Sequence, residues 1–253
     1  LSGTITFAYP LGDLVIDKNL TINGPGPASL TIDAGFNNSR LFYINVGKIL
    51  TMSGLTITNG YVYGADGGAI YLMMGGLNIT DCVFHYNRAV GGGSGGAIYN
   101  NSGDLSVVNT TFSGNLTTVS GGGIFSYEAG TLSISGSTFS ENYAYTGAGG
   151  GVYITGRSYG ATISNSTFSG NYAVNGGGVH NDDASELTIS GSSFSGNSAS
   201  NGAGFYQGSS STTTVTNSTF SGNGDAESTG GGIYNSSTLN IRSTTLYGNK
   251  ANT

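Results

Sequence analysis

Apolar and polar residues alternate in short runs along most of the chain, and the same runs recur. Triplets such as Leu77-Asn-Ile79, Leu105-Ser-Val107 and Leu187-Thr-Ile189 have apolar residues at every second position, which predicts half-buried β-strands. Gly, Asn and Ser separate the runs, and these residues favour turns. No segment has a sustained 3.6-residue period, and the abundant glycine opposes helix formation. The pattern therefore predicts an all-β chain of short strands.

A Phe-x-x-Asn phrase marks an internal repeat. Successive copies lie 28, 27, 29, 26, 26 and 26 residues apart. A glycine cluster followed by an apolar residue keeps the same spacing, so each period contains three predicted strands, as in one turn of a parallel β-solenoid. The copies are Phe84–Asn87, Phe112–Asn115, Phe139–Asn142, Phe168–Asn171, Phe194–Asn197, Phe220–Asn223 and the variant Leu246–Asn249.

We therefore predict a single-stranded parallel β-helix of about nine rungs with three short strands each. The prediction is one domain over residues 1–253, with regular repeats of about 27 residues over 61–253 and irregular opening rungs over 1–60. Inward Ile, Leu and Phe side chains would form apolar columns along the axis. In the opening rungs, strands are predicted at Leu20–Ile22, Leu30–Ile32, Phe42–Ile44 and Leu55–Ile57.

In a solenoid, a position in the repeat becomes a column in space, and the asparagine of each phrase predicts one such column. Asparagine tolerates the left-handed turn conformation, and its amide can bond to the asparagine of the next rung. We interpret the column as a structural ladder. Its members are Asn87, Asn115, Asn142, Asn171, Asn197, Asn223 and Asn249.

A second column, two residues before each phenylalanine, holds small residues on the inward side. It includes the single cysteine, Cys82, which we predict to be a buried and inert thiol. The other members are Thr110, Ser137, Ser166, Ser192, Ser218 and Thr244.

An aromatic column directly follows the inward Ile or Val of each repeat, so strand alternation predicts that it lies on the outer face. We favour a stacked ladder that adds cross-strand contacts. The alternative is an exposed aromatic strip that binds glycans or another subunit. The column contains Tyr71, Tyr99, Phe125, Tyr153, His180, Tyr206 and Tyr234.

The chain carries few charges. Charged residues make up 8%, and 7 basic against 13 acidic residues give a formal net charge of −6. Nucleic acid is excluded as an expected partner because phosphate binding needs clustered Lys and Arg. No apolar run approaches the ~20 residues of a membrane-spanning helix, so no membrane insertion by this segment is expected. No metal or cofactor motif is present, and we predict no cofactor.

Nine Asn-x-Ser/Thr sequons occur in a chain rich in these residues, which makes chance matches common. Asn109, Asn165 and Asn217 are different because they share one repeat position, just after a strand, where we expect exposure. Asn115 belongs to the predicted ladder, which would make it inaccessible. The other candidate acceptors are Asn19, Asn37, Asn78, Asn100 and Asn235.

The phrases Gly67-Gly68-Ala69-Ile70 and Gly95-Gly96-Ala97-Ile98, each followed by Phe-x-x-Asn, resemble the paired motifs of chlamydial polymorphic outer membrane protein repeats. The resemblance covers roughly residues 61–250. It implies a right-handed parallel β-helix on a cell surface, often as an adhesin passenger. We therefore expect an extracellular or cell-surface location and a structural role as an adhesin-like stalk or a head-to-tail filament subunit.

An enzyme is the competing interpretation, because pectin-degrading lyases and hydrolases also use right-handed β-helices. Such chemistry needs converging carboxylates, or bound calcium with a basic residue. The adjacent acidic pair Asp182-Asp183 lies close to His180, but the aligned positions Thr155 and Gly208 supply no partner carboxylate. We therefore predict no catalytic residues, with a pectate lyase-like carbohydrate-active enzyme or a glycan-binding module as the alternatives.

The last turn, residues 246–253, still follows the repeat and shows no altered closing rung. An open solenoid end exposes backbone groups and an apolar cross-section. The expected partners at the ends are therefore the rest of a longer chain or another copy of this one.

Overall fold

A computed structural model describes residues 2–7, 12–158, 160–183 and 185–252. Within these residues the chain forms 34 β-strands and no helix. All paired strands run parallel, and each pairs with the equivalent strand one turn away. The strands form four long sheets that wind about one axis in about nine turns. The fold is therefore the predicted parallel β-helix.

Sheet I carries the aromatic column on its outer side. From Ile70 onward, its strands begin with the inward apolar residue that follows the glycine cluster, and Ile70, Ile98 and Ile124 are aligned in register. Its strands are β2 (Leu14–Ile16), β5 (Phe42–Ile44), β9 (Ile70–Met73), β13 (Ile98–Asn101), β17 (Ile124–Tyr127), β21 (Val152–Thr155), β25 (Val179–Asn181), β29 (Phe205–Gln207) and β32 (Ile233–Asn235).

Sheet II contains the alternating triplets, with Leu77 and Ile79 inward and Asn78 exposed. Its strands are β3 (Leu20–Asn23), β6 (Ile49–Ser53), β10 (Gly76–Thr80), β14 (Asp104–Val108), β18 (Leu132–Ser135), β22 (Ala161–Ser164), β26 (Glu186–Ser190), β30 (Thr212–Thr216) and β33 (Thr238–Arg242).

Sheet III contains the phenylalanine column. From Phe84 to Phe220 the rings stack at centroid distances of 4.4 to 4.9 Å and within 6° of parallel. Its strands are β1 (Gly3–Thr6), β4 (Leu30–Asp33), β7 (Thr56–Thr58), β11 (Val83–His85), β15 (Thr111–Ser113), β19 (Thr138–Ser140), β23 (Thr167–Ser169), β27 (Ser193–Ser195), β31 (Thr219–Ser221) and β34 (Thr245–Tyr247).

Sheet IV is a fourth sheet that the sequence pattern did not predict. It follows the ladder asparagine in the middle rungs, and its inward residues are small, as at Ala89, Ala144 and Ala173. These strands have too few residues for alternation to be visible. They are β8 (Tyr61–Tyr63), β12 (Arg88–Val90), β16 (Leu116–Thr117), β20 (Tyr143–Ala144), β24 (Tyr172–Asn175) and β28 (Ser198–Asn201).

The glycine clusters lie where sheet IV returns to sheet I, and backbones of neighbouring rungs approach closely there. A Cβ atom on Gly68 would lie 2.1 Å from the carbonyl oxygen of Gly96, and one on Gly96 would lie 2.1 Å from that of Gly122. Real Cβ atoms do not tolerate such contacts. Glycine is therefore required for close backbone approach as well as for turns.

The predicted asparagine ladder is present, and its members from Asn87 to Asn223 are buried inside the solenoid. The backbone N–H and Nδ2 of Asn87 both donate to Oδ1 of Asn115 at 3.0 Å, and Nδ2 of Asn115 donates to the carbonyl oxygen of Phe84. The same pattern links each later pair as far as Asn249.

The expected left-handed conformation falls one residue earlier than predicted. Tyr86, Gly114 and Glu141, which precede three of the ladder asparagines, have φ of 53°, 61° and 54°. The asparagines themselves do not have positive φ. The turn residue and the ladder residue are therefore separate, because the side chain of the ladder residue must point inward.

A second ladder runs through the small-residue column. The Thr110 hydroxyl donates to the carbonyl oxygen of Val108 at 2.8 Å and accepts the backbone N–H of Cys82 at 3.3 Å. The same pair of bonds recurs at Ser137 and Ser166. Cys82 is buried as predicted, and burial raises the pKa of its thiol.

We expect Asn171→Ala to lower the free energy of unfolding by about 3 kcal/mol or more, because buried groups of two neighbouring rungs lose their partners. Nδ2 of Asn171 donates to the carbonyl oxygen of Phe139, and its Oδ1 accepts two bonds from Asn142. Denaturant unfolding measures the change. Asn78→Ala, at an exposed position, is the control, and equal losses for both variants would contradict the ladder's role.

Candidate functional site

The aromatic column lies on the outer side of sheet I, and its rings are stacked from Tyr43 to Phe125. Tyr71 and Tyr99 stack at 5.1 Å, and Tyr99 and Phe125 stack at 4.8 Å. Tyr43 extends the column into the opening rungs, stacked on Tyr71 at 5.2 Å. Tyr43 was not predicted as a member of the column, because its rung lacks the glycine cluster that marks the other members.

The rings of the column are less exposed to solvent than the alternative of an exposed aromatic strip requires. Its rings are half-buried, and His180 is buried at 4% exposure. Burial raises the pKa of the Tyr99, Tyr153 and Tyr206 phenols. A ring inside a stack has both faces covered by its neighbours, so it presents mainly its edge outward.

The stack is interrupted at Tyr153. The planes of Tyr153 and Phe125 meet at 61°, and those of Tyr153 and His180 meet at 84°. Parallel stacking resumes below the interruption, with His180 and Tyr206 4.3 Å apart and 23° from parallel. Tyr153 is therefore the point in the column where a ring is turned out of the stack.

The His180 ring lies beside a carboxylate at this interruption. Its Nε2 is 3.6 Å from Oδ2 of Asp182, which is an ion-pair distance but too long for a hydrogen bond. Neither ring nitrogen of His180 has a hydrogen-bond partner among the described residues. The imidazole and the backbone N–H of Asp183 hold the pKa of Asp182 below its usual value.

Asp182 occupies space that the next rung leaves free. A Cβ atom on Gly208 would lie 2.0 Å from Oδ1 of Asp182, so the carboxylate lies where a side chain would otherwise be. The Asp182 charge also raises the pKa of Tyr153 and Tyr206, after the larger effect of burial. The missing side chain at Gly208 therefore brings the carboxylate close to the aromatic column.

Further charged groups lie just after the carboxyl ends of the sheet I strands, a region that we call the edge of sheet I. Glu128 raises the pKa of Tyr127 by hydrogen bonding and by charge, and Asp183 adds a smaller effect of its charge. Arg157 adjoins this edge, and its backbone N–H donates to the carbonyl oxygen of Asp183 at 2.9 Å. Among described residues the Arg157 guanidinium forms no ion pair.

The opposite end of the column holds a guanidinium of the chain itself. The Arg40 guanidinium lies 5.9 Å from the Tyr43 ring centroid and 5.3 Å from that of Tyr71. Its Nε is 2.9 Å from Oδ2 of Asp13. The outer side of sheet I thus combines aromatic rings, a carboxylate and a cation in one place.

Other acidic residues are dispersed. Asp66 accepts the backbone N–H of Ser94 at 2.8 Å, and burial raises its pKa. Asp225 accepts the hydroxyl of Ser228, which lowers its pKa. In the part of the chain that is described, no three His, Cys, Asp or Glu side chains are grouped as a metal ion requires.

The structure separates the candidate glycan acceptors into exposed and buried sites. Asn109, Asn165 and Asn217 are exposed turn residues with φ of 47° to 49°. Asn100 is buried, and its Nδ2 donates to the carbonyl oxygen of Gly103 and to Ser126 Oγ, so its side chain is inaccessible in the folded chain. Asn19, Asn78 and Asn235 are exposed, Asn37 is partly exposed, and Asn115 is buried.

The chain belongs to the right-handed β-helix family. The model of the right handed beta helix region matches residues 15–159 and 150–253, which confirms the predicted right-handed parallel β-helix. No curated protein matches the sequence.

Among solved structures, the chain is similar to the A-module of the mannuronan C-5 epimerase AlgE6 of Azotobacter vinelandii. The identity is 13%, the TM-score is 0.30, and the match covers 99% of this chain and 89% of that one. A likeness at this level carries no argument about activity. None of the described segments forms a helix of the length and apolarity that crossing a bilayer requires.

We expect Asn109, Asn165 and Asn217 to carry glycans when the chain is secreted by a host with N-glycosylation machinery, because all three are exposed. Asn100 and Asn115 should stay unmodified because they are buried. Intact-mass measurement and peptide mapping would test both expectations. Modification at Asn100, or none at the three turn positions, would contradict this division.

Proposed function

We propose that the chain is a non-catalytic, extracellular or cell-surface β-helix that acts as a rigid, adhesin-like stalk. The observation that carries the proposal is the unbroken asparagine ladder from Gly60, whose N–H donates to Asn87, to Asn249. Each rung is fixed to the next by buried hydrogen bonds, which stiffens the rod along its axis. At ~4.8 Å per rung, about nine rungs give a rod of roughly 40 Å.

The distribution of side chains supports a structural role. The polar side chains of the asparagine and serine/threonine columns form hydrogen bonds within the protein. They are therefore not free to bind a substrate or to act in catalysis. The low charge content and the resemblance of the repeat to surface-protein repeats support the proposed location. The rod would separate a ligand-binding or anchoring segment from its surroundings.

Release assays on acidic polysaccharides test the non-catalytic part of the proposal. We expect no product from the purified chain, because Asp182 has His180 as its neighbour but no second carboxylate opposite it in the aligned positions of β21 and β29. Product release that is lost in Asp182→Ala and Asp183→Ala would favour a carbohydrate-active enzyme instead.

We also propose that copies of the chain stack end to end. The first rungs expose Leu14, and the last rungs expose Ile241 and Leu246. All three are at inward positions of their strands, in register with Phe42, Val215 and Phe220. Such apolar ends suit a further rung, either from the rest of a longer chain or from another copy. Between copies, a head-to-tail contact of unlike ends propagates into a filament.

We expect the sedimentation coefficient of the purified chain to rise with concentration and filaments to appear in electron micrographs. Leu246→Lys should reduce this association, because it places a charge in the stacked apolar end. Ser169→Lys, on the side of the rod, is the control. Monodisperse monomers at every concentration would contradict end-to-end stacking but leave the stalk role unaffected.

A further inference from the structure

We propose that the edge of sheet I around Tyr153, His180, Asp182 and Asp183 binds the guanidinium of an arginine side chain from a partner polypeptide. The site goes beyond a structural role, because it gives the rod a specific docking position. Four features of the molecule support it: a precedent within the chain, the arrangement of rings and carboxylates, an unpartnered buried imidazole and the local charge.

The precedent is Arg40. Its guanidinium is only 12% exposed, lies against two rings of the same aromatic column and pairs with Asp13. A guanidinium is planar, weakly hydrated and able to contact a ring face and a carboxylate together. Arg40 therefore shows that the outer side of sheet I can hold a guanidinium against its rings.

The interruption of the stack provides the same components without a bound cation. Tyr153 is turned 84° from His180, and Asp182 reaches the column over Gly208. Asp183 is exposed beside Asp182, and its backbone N–H donates to Oδ1 of Asp182 at 2.9 Å. Rings and two carboxylates thus converge at one position on the surface.

The His180 imidazole indicates a missing partner. It is buried at 4% exposure, and both ring nitrogens lack hydrogen bonds, a state that costs about 1–3 kcal/mol for a buried polar group. A neutral imidazole has one acceptor nitrogen. Because Nε2 of His180 and Oδ2 of Asp182 are 3.6 Å apart, one guanidinium that approaches both atoms from the outer side can donate to the imidazole and to the carboxylate.

The local charge selects a cation over a neutral or anionic ligand. The carboxylates of Asp182, Asp183 and Glu128 each raise the pKa of a nearby tyrosine, although burial is the larger effect for Tyr153. Arg157 is the cation beside this edge, and its exposed side chain competes for the same carboxylates. Removal of Arg157 should therefore strengthen binding.

The test uses an NMR titration of the ¹⁵N-labelled chain with N-acetyl-arginine amide. We expect saturable shifts of the Asp183 and Gly208 backbone amides, with an affinity in the millimolar range because the charge pairs are partly exposed. The matched ligand is N-acetyl-citrulline amide, which has the same shape without the charge. It should produce no saturable shift.

Variants assign the contacts. Asp182→Asn should weaken binding about fivefold, the order expected for one partly exposed charge pair, and Arg157→Gln should strengthen it. Glu141→Gln, an exposed carboxylate at a different corner, should leave the affinity unchanged. Thermal unfolding of each variant shows that its fold is intact.

Three results would overturn the proposal. Equal shifts with the citrulline ligand would show that charge is irrelevant. An unchanged affinity in a folded Asp182→Asn variant would place the contact elsewhere. Equal affinity for N-acetyl-lysine amide would contradict the preference for a guanidinium. None of these results bears on release of polysaccharide products or on end-to-end stacking.

Discussion

The amides of the ladder asparagines from Asn87 to Asn223 are buried inside the solenoid, so only the rungs on either side of them can satisfy their hydrogen bonds. Asn142, for example, donates to Asn171 and to the carbonyl oxygen of Phe112. A register error of one residue would leave these groups unpaired, at a cost of about 1–3 kcal/mol each. In-register stacking is therefore imposed from within, and the phenylalanine stack follows the same register.

Variation in repeat length is absorbed at the corners, where the ladder does not constrain the chain. Residues 118–123 join β16 to β17, and the longer segment 145–151 joins β20 to β21. The strands on both sides remain aligned, as Ile124 with Val152 shows. The corners and the outer surfaces are thus the places where a repeat can change without loss of the fold.

The outer aromatic column shows this freedom. It has the spacing of the inner columns, yet it accepts Phe125 and His180 among its tyrosines and is interrupted at Tyr153. An outer ring has no buried polar partner to maintain, so substitution there costs less than in the ladder. The features that suit binding lie at the interruption, beside the carboxylate that Gly208 admits.

The repeat spacing was sufficient to predict the architecture, because each inward position is repeated in every rung and each rung contacts its neighbours. The strands of the opening rungs at Leu30–Asp33 and Phe42–Ile44 were also predicted, since alternation is clear there. The strands of sheet IV, which have two to four residues, were missed, although small inward residues two positions after the ladder asparagines from Asn87 to Asn197 were a usable signal. The left-handed residue was placed one position too late. A recurring asparagine fits a left-handed turn and also fits an amide ladder, and only the second explanation applies here.

The sequence by itself determined the fold, the inward columns and the membership of the aromatic column from Tyr71 onward, because these depend only on period and side-chain type. Only the tertiary structure decided the ring angle of Tyr153, the position of Asp182 over Gly208 and the pairing of Arg40 with Asp13. Those features depend on contacts between residues about one rung apart in the chain. Their geometry is set by rotamers and by space left in the neighbouring rung, which a one-dimensional pattern does not specify.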